Sequence, residues 1–77
     1  MRLPRDVNAE KLIRILAQYG YSVSRQVGSY IRLTGQDGTH NLTIPNHNPI
    51  KIGTLHSIIK DVCAANNLES AELIMKL

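Results

Sequence analysis

Apolar residues recur at two different spacings along this chain, and each change of spacing marks the end of a predicted element. A first helix is predicted between the candidate N-caps Asp6 and Asn8 and a stop at Gly20. The helical spacing returns after residue 54, continues to Asn66-Asn67, and a short helix is predicted over residues 71–77. The apolar stripes of the two longer helices are Leu12, Ile15, Leu16, Tyr19 and Leu55, Ile58, Ile59, Val62.

Between these helices the spacing falls to two residues, which is typical of strands with one buried face. Residues 21–27 alternate weakly, with Val23, Arg25 and Val27 expected on one face. Residues 29–34 and 40–44 alternate clearly, and Pro45 is expected to end the last strand. Turns are predicted at Gly28 and over residues 35–38, so the three strands form an antiparallel meander.

The element order α-β-β-β-α, with a small extra helix, predicts an α+β domain in which two helices cover one face of the sheet. This is the layout of the double-stranded-RNA-binding fold, which hosts several functions. With 77 residues and no linker, we expect one domain over residues 1–77. The predicted core is Leu12, Leu16, Ile31, Leu33, Leu42, Ile44, Leu55, Ile58, Ile59 and Val62.

Composition narrows the class of protein further. Cys63 is the single cysteine, so no disulfide forms within the chain, and no Cys/His spacing predicts a metal site. No apolar run approaches the roughly 18–20 residues of a membrane span, and no signal-peptide pattern is present, so we expect a cytoplasmic protein. Nine basic against six acidic residues give a net charge of +3, which is compatible with an anionic partner.

The start of the second helix is the best candidate anion site. Gly53 allows close backbone approach, Thr54 offers a hydroxyl, and Lys51 adds a charge near unsatisfied helix N–H groups. The alternative is that Thr54 caps the helix and that Lys51 is simply solvated. His47, in a polar loop, is either a phosphate contact or a solvated side chain.

The outer face of the predicted sheet carries Tyr30 and Arg32, opposite the core residues of the same strand. An exposed tyrosine either stacks on a base and donates to phosphate, or is a β-favouring surface residue. Arg25 and Arg32 add charge to this face. His40 shares the parity of the core residues Leu42 and Ile44, so it is expected to pack at a strand end rather than to catalyse.

Several short motifs together resemble the HicA (YcfA-like) mRNA interferase toxins of toxin–antitoxin modules. They are residues 3–7 (LPRDV), 20–21 (GY), 28–33 (GSYIRL), 43–47 (TIPNH), 51–55 (KIGTL) and 58–62 (IIKDV). The resemblance implies a double-stranded-RNA-binding-like fold, mRNA as substrate, metal-independent cleavage without a cofactor, and neutralisation by a HicB-type antitoxin. It also implies that Gly28 and Ser29 shape the turn that presents the catalytic position, with RNA contacts from Arg25, Arg32, His47, Lys51, Gly53 and Thr54.

Two positions depart from the family pattern. Tyr30 stands where the family has its catalytic histidine, and Val27 stands where a basic residue is frequent. The pKa of a histidine side chain is about 6.5 and that of a tyrosine about 10, so a tyrosine is a poor general base at neutral pH. Three functions therefore stay open: a toxin of reduced activity, a non-catalytic module that binds RNA or antitoxin, and a protein-interaction domain that keeps only the fold.

Overall fold

The computed structural model describes residues 3–77 and has the predicted α+β architecture. The three strands form one antiparallel sheet in the order β1-β2-β3, so the meander is confirmed. The helices pack with the inward face of the sheet into one core cluster. The elements are α1 (Ala9–Ala17), β1 (Ser22–Val27), β2 (Tyr30–Thr34), β3 (Asn41–Pro45), α2 (Ile52–Asn66) and α3 (Ser70–Ile74).

The first helix starts where one of its two candidate caps predicts. Asn8 is the N-cap, because its side chain accepts a hydrogen bond from the Lys11 backbone N–H at 2.8 Å. The helix is followed by a turn that reaches Gly20 at φ +90°, a conformation that favours glycine. Leu12 and Leu16 on the inner face of this helix are fully buried.

The alternation of β2 and β3 is confirmed, and it separates the sheet into a core face and an open face. Ile31 pairs with Ile44 and Leu33 with Leu42, and all four are buried. All ten predicted core residues are buried, and the core extends to seven more. These additional residues are Val7, Ala9, Ile15, Tyr21, Ile50, Cys63 and Leu73.

The predicted face of β1 is wrong in part, because the strand contains a bulge. The register with β2 shifts between Val23 and Arg25 and leaves Ser24 without a Cα partner. Val23 pairs with the buried Leu33 and so lies on the helix side, whereas Arg25 pairs with Arg32 on the open face. Tyr21 precedes the strand and is buried, and all six residues of β1 are exposed.

The two C-terminal helices differ from prediction at their ends. The second helix begins at Ile52, with Lys51 as N-cap and no side-chain cap bond, so the alternative role of Thr54 as a cap is wrong. It ends at Asn66, as predicted, with Asn67 in the left-handed conformation. The terminal helix is Ser70–Ile74 rather than residues 71–77, because the last backbone N–H groups bond three residues back in a tighter turn.

Candidate functional site

The open face of the sheet is organised in two rows of residues that run across the strands. One row joins Val27, Tyr30 and Pro45, which are Cα partners across the three strands. The neighbouring row joins Arg25, Arg32 and Thr43 in the same way. Tyr30 and Val27 are 56% and 57% exposed, so an aromatic ring and an apolar side chain lie in solvent beside two arginines.

These two rows enclose a shallow cavity of about 170 Å³. It is lined by Arg25, Val27, Tyr30, Arg32 and Thr43. The sequence predicted the first four residues on or beside this face. The alternation of β3 also predicts Thr43 opposite the core residues Leu42 and Ile44, as observed, but did not single it out as a site residue. Its place in the cavity depends on the register, because Thr43 is the Cα partner of Arg32.

The cavity is cationic because Arg25 and Arg32 stand directly opposite each other. Like charges in a cross-strand pair repel. Within residues 3–77 the one salt bridge joins Arg14 to Glu10 on α1, so no carboxylate offsets this repulsion at contact distance. A bound anion with oxygens on both sides would offset it, and guanidinium groups bind phosphate oxygens with particular strength.

The Gly28-Ser29 turn beside Tyr30 is held by a backbone hydrogen bond, and no other part of residues 3–77 packs against Gly28. Gly28 adopts φ +57°, and a Cβ built on it meets nothing within 4 Å. The Ser29 carbonyl accepts a hydrogen bond from the Asn46 N–H at 2.6 Å, which ties this turn to the end of β3. His47 follows and is exposed, with its N–H donating to the Pro45 carbonyl at 2.8 Å.

The predicted anion site at the start of α2 forms a separate groove between that helix and β3. The groove has a volume of about 570 Å³, and Lys51, Gly53 and Thr54 line it together with Thr43 and Asp61. Thr43 borders both this groove and the open-face cavity. The two candidate areas are therefore neighbours, although the carboxylate of Asp61 makes the groove less cationic. His47 lines neither of them.

The opposite end of the sheet carries a polar network that the sequence did not predict as a unit. The buried Tyr21 hydroxyl forms hydrogen bonds with His40 Nδ1 and with Asn66 Nδ2, the latter at 2.9 Å. His40 therefore packs at the strand end, as predicted. Nearby, the Thr39 backbone N–H donates to the Asp37 carboxylate and lowers the pKa of Asp37 below its ordinary value of 3.8.

Residues 3–77 contain neither a metal-binding cluster nor a membrane-spanning helix. Within residues 3–77, no three His, Cys, Asp or Glu side chains cluster in a way that suits a metal ion. The same part of the chain has no helix that is both long and apolar enough to span a membrane.

Taken with the element order, these features define a small α+β domain of the double-stranded-RNA-binding type whose sheet presents an open cationic face. Residues 9–62 match the model of the family described as the HicA toxin of bacterial toxin–antitoxin systems. The match covers more than half of the chain, and this protein belongs to the HicA toxin family. No curated protein and no solved structure matches the chain.

Proposed function

We propose that this protein is a cytoplasmic endoribonuclease toxin of a toxin–antitoxin pair, formed by one domain over residues 1–77. Its substrate is mRNA, its antitoxin is of the HicB type, and it uses neither a metal nor another cofactor. The observation that carries the proposal is the open-face cavity, where Tyr30 lies beside two arginines that lack a carboxylate partner within residues 3–77. Membership of the HicA toxin family supports it.

Each predicted residue has a role in this proposal. Arg25 and Arg32 bind a phosphate, and Tyr30 stacks on a base or donates its hydroxyl hydrogen to the same phosphate. Gly28 and Ser29 set the turn that presents the tyrosine. Additional phosphate contacts come from Lys51, Gly53 and Thr54 in the adjoining groove and from His47 after β3.

Cleavage of RNA by its own 2′-OH requires removal of the hydroxyl proton and a proton for the departing 5′-oxygen. The 2′-oxygen forms a new bond to phosphorus as the bond to the 5′-oxygen breaks. Two guanidinium groups stabilise the charge that develops on the phosphate. Tyrosine is a weak base at neutral pH, so we expect slow cleavage, with Tyr30 acting mainly by positioning the RNA.

The direct test replaces Tyr30 with the histidine of the family pattern. We expect Tyr30→His to raise the rate of cleavage of an mRNA substrate by roughly 10²–10⁴-fold, the usual contribution of general acid–base catalysis. Expression of the variant should also slow the growth of the host. Tyr19→His is the matched control, since Tyr19 lies outside the open face. Unchanged cleavage by a Tyr30→His protein that still binds RNA would disprove the proposed role of this position.

The second candidate is a module that binds RNA or antitoxin without cutting, and it is favoured by Tyr30 and Val27 at the two positions that depart from the family. It predicts RNA binding that weakens as salt rises and a host that grows normally while making the unmodified protein. Loss of measurable cleavage on Tyr30→Phe or His47→Ala would count against it.

A further inference from the structure

The first strand of the sheet, β1, is exposed along its outer edge and on both of its faces. It is an edge strand, its six residues are all exposed, and none of them belongs to the core. Val23 on the helix side is 51% exposed, and Val27 on the open face is 57% exposed. Although α1 contacts this strand, its side chains remain largely exposed, and apolar side chains lie on both of its faces.

The free edge of β1 is divided by the bulge at Ser24. The Ser24 hydroxyl lies 3.0 Å from Thr34 Oγ1 and 3.3 Å from the Arg32 carbonyl, which holds the irregular backbone in place. Bulges protect edges against pairing with other strands. The regular stretch Arg25–Val27 lies beyond the bulge, and its outward N–H and C=O groups are a template for one more strand.

The charge beside this stretch determines which strand fits. Arg25 and its partner Arg32 place two positive charges on the open face, and both line the cavity with Tyr30. A strand paired with three residues gains few backbone hydrogen bonds, so side-chain contacts must supply much of its affinity. Carboxylates at alternate positions of the incoming strand would lie on the side of Arg25 and Val27, and the residues between them would lie on the side of Gln26.

A second copy of this chain is a poor occupant of the same edge. Pairing β1 with β1 of another copy would bring Arg25 and Arg32 of both copies onto one continuous sheet face. Four positive charges would then face solvent without a carboxylate among them. An acidic segment removes this repulsion, whereas a second copy doubles it.

We propose that an extended acidic segment of the antitoxin adds to the sheet as a fourth strand along Arg25–Val27. This inference rests on the toxin–antitoxin pairing in the proposed function and names the surface that the partner uses. Such a strand lies beside β1, one strand away from Tyr30 and Arg32, and sets its open-face carboxylates next to Arg25. Its carboxylates compete with phosphate for the cationic open face without contact at the groove of α2.

The test uses a synthetic peptide in which glutamates alternate with valines, and a control peptide with lysine in place of each glutamate. Amide hydrogen exchange of the full chain is followed by NMR at low salt. At a peptide concentration ten times its Kd, we expect exchange at outward amides of residues 25–27 to slow about tenfold. The protection should disappear with the lysine peptide and weaken as salt rises.

Charge reversal sharpens the same experiment. Arg25→Glu should abolish the protection by the glutamate peptide, while Lys60→Glu, an exposed change on α2, should leave it intact. Protection of β3, or equal protection by both peptides, would overturn the inference. So would protection of β1 that rises with protein concentration in the absence of peptide, since this indicates a second copy.

Failure of this inference and failure of the proposed function are distinguishable. If the Tyr30→His protein cleaves RNA while the β1 amides exchange freely in the presence of the glutamate peptide, the proposed function is supported and the proposed strand addition is contradicted. If the glutamate peptide protects the β1 amides but the protein neither binds nor cleaves RNA, the strand addition is supported and the proposed function is contradicted.

Discussion

The two turns of the sheet are built in opposite ways. The first turn, Gly28-Ser29, is open, because a Cβ added at Gly28 meets no atom within 4 Å and Tyr30 beside it is 56% exposed. The second turn, residues 35–40, is tied to the body of the domain. His40 bonds to the buried Tyr21, and a Cβ added at Gly20 lies 2.9 Å from Gln36 Cβ.

Within this small sheet, the second turn contributes mainly to stability and the first turn is available for binding. Contacts of the second turn fix the junction of α1 and β1 and the C-terminal end of α2. Such contacts hold the fold together, and the side chains that make them line a cavity of about 460 Å³. The first turn contributes little packing, and its side chains are therefore free to contact another molecule.

The largest expected difference comes from the same substitution at two left-handed glycines. Gly20→Ala adds a steric conflict with Gln36 to the cost of the conformation, so we expect a loss of about 3 kcal/mol in the free energy of unfolding. Gly28→Ala should cost about 1–2 kcal/mol, since only the conformation is unfavourable. Urea unfolding measures both, and equal losses would show that the second turn is not packed as described.

The next difference comes from removal of one hydroxyl in each region. Tyr21→Phe should lower the free energy of unfolding by about 1–2 kcal/mol, because His40 and Asn66 lose a shared partner next to the core. Tyr30→Phe should change it by less than about 0.5 kcal/mol, because that side chain is mostly in solvent. The pair is compared by thermal unfolding, and a greater effect at Tyr30 would reverse the comparison.

The smallest effect is expected at Asp37 in the second turn. Its pKa is lowered in the folded protein by the Thr39 N–H, so its contribution to stability is present at neutral pH and is lost as the pH falls through that lowered pKa. Asp37→Asn should therefore lower the unfolding temperature slightly at pH 7 and leave it unchanged at the acid end. A difference that grows on acidification would contradict the stated direction.

The fold was predictable because β2, β3 and the two longer helices each carry a clear apolar period. Ile31 and Leu33 alternate with polar residues, and the stripes of α1 and α2 have helical spacing. The bulge in β1 was not predictable, since Ser24 is typical of a regular strand as well, and its irregularity depends on contacts with Thr34 and Arg32.

The candidate site could be predicted only in pieces. Side-chain alternation places Arg32 and Tyr30 on one face, and the family resemblance points to Gly28 and Ser29. The cross-strand pairing of Arg25 with Arg32 depends on the register after the bulge, and local sequence does not encode that register. The contact among Tyr21, His40 and Asn66 was also not predictable from local sequence. Tyr21 is 19 positions from His40 and 45 positions from Asn66 along the chain.

The bulge at Ser24 is one extra residue in an otherwise regular strand. Val23 pairs with Leu33 and Arg25 with Arg32, so removal of Ser24 would set consecutive residues opposite consecutive partners and keep every cross-strand pair of β1. The side chains that line the cavity would therefore stay on the same face of the sheet. What the deletion would remove is the local irregularity that interrupts the outer edge of the strand, so a shortened chain should offer a longer continuous edge for pairing.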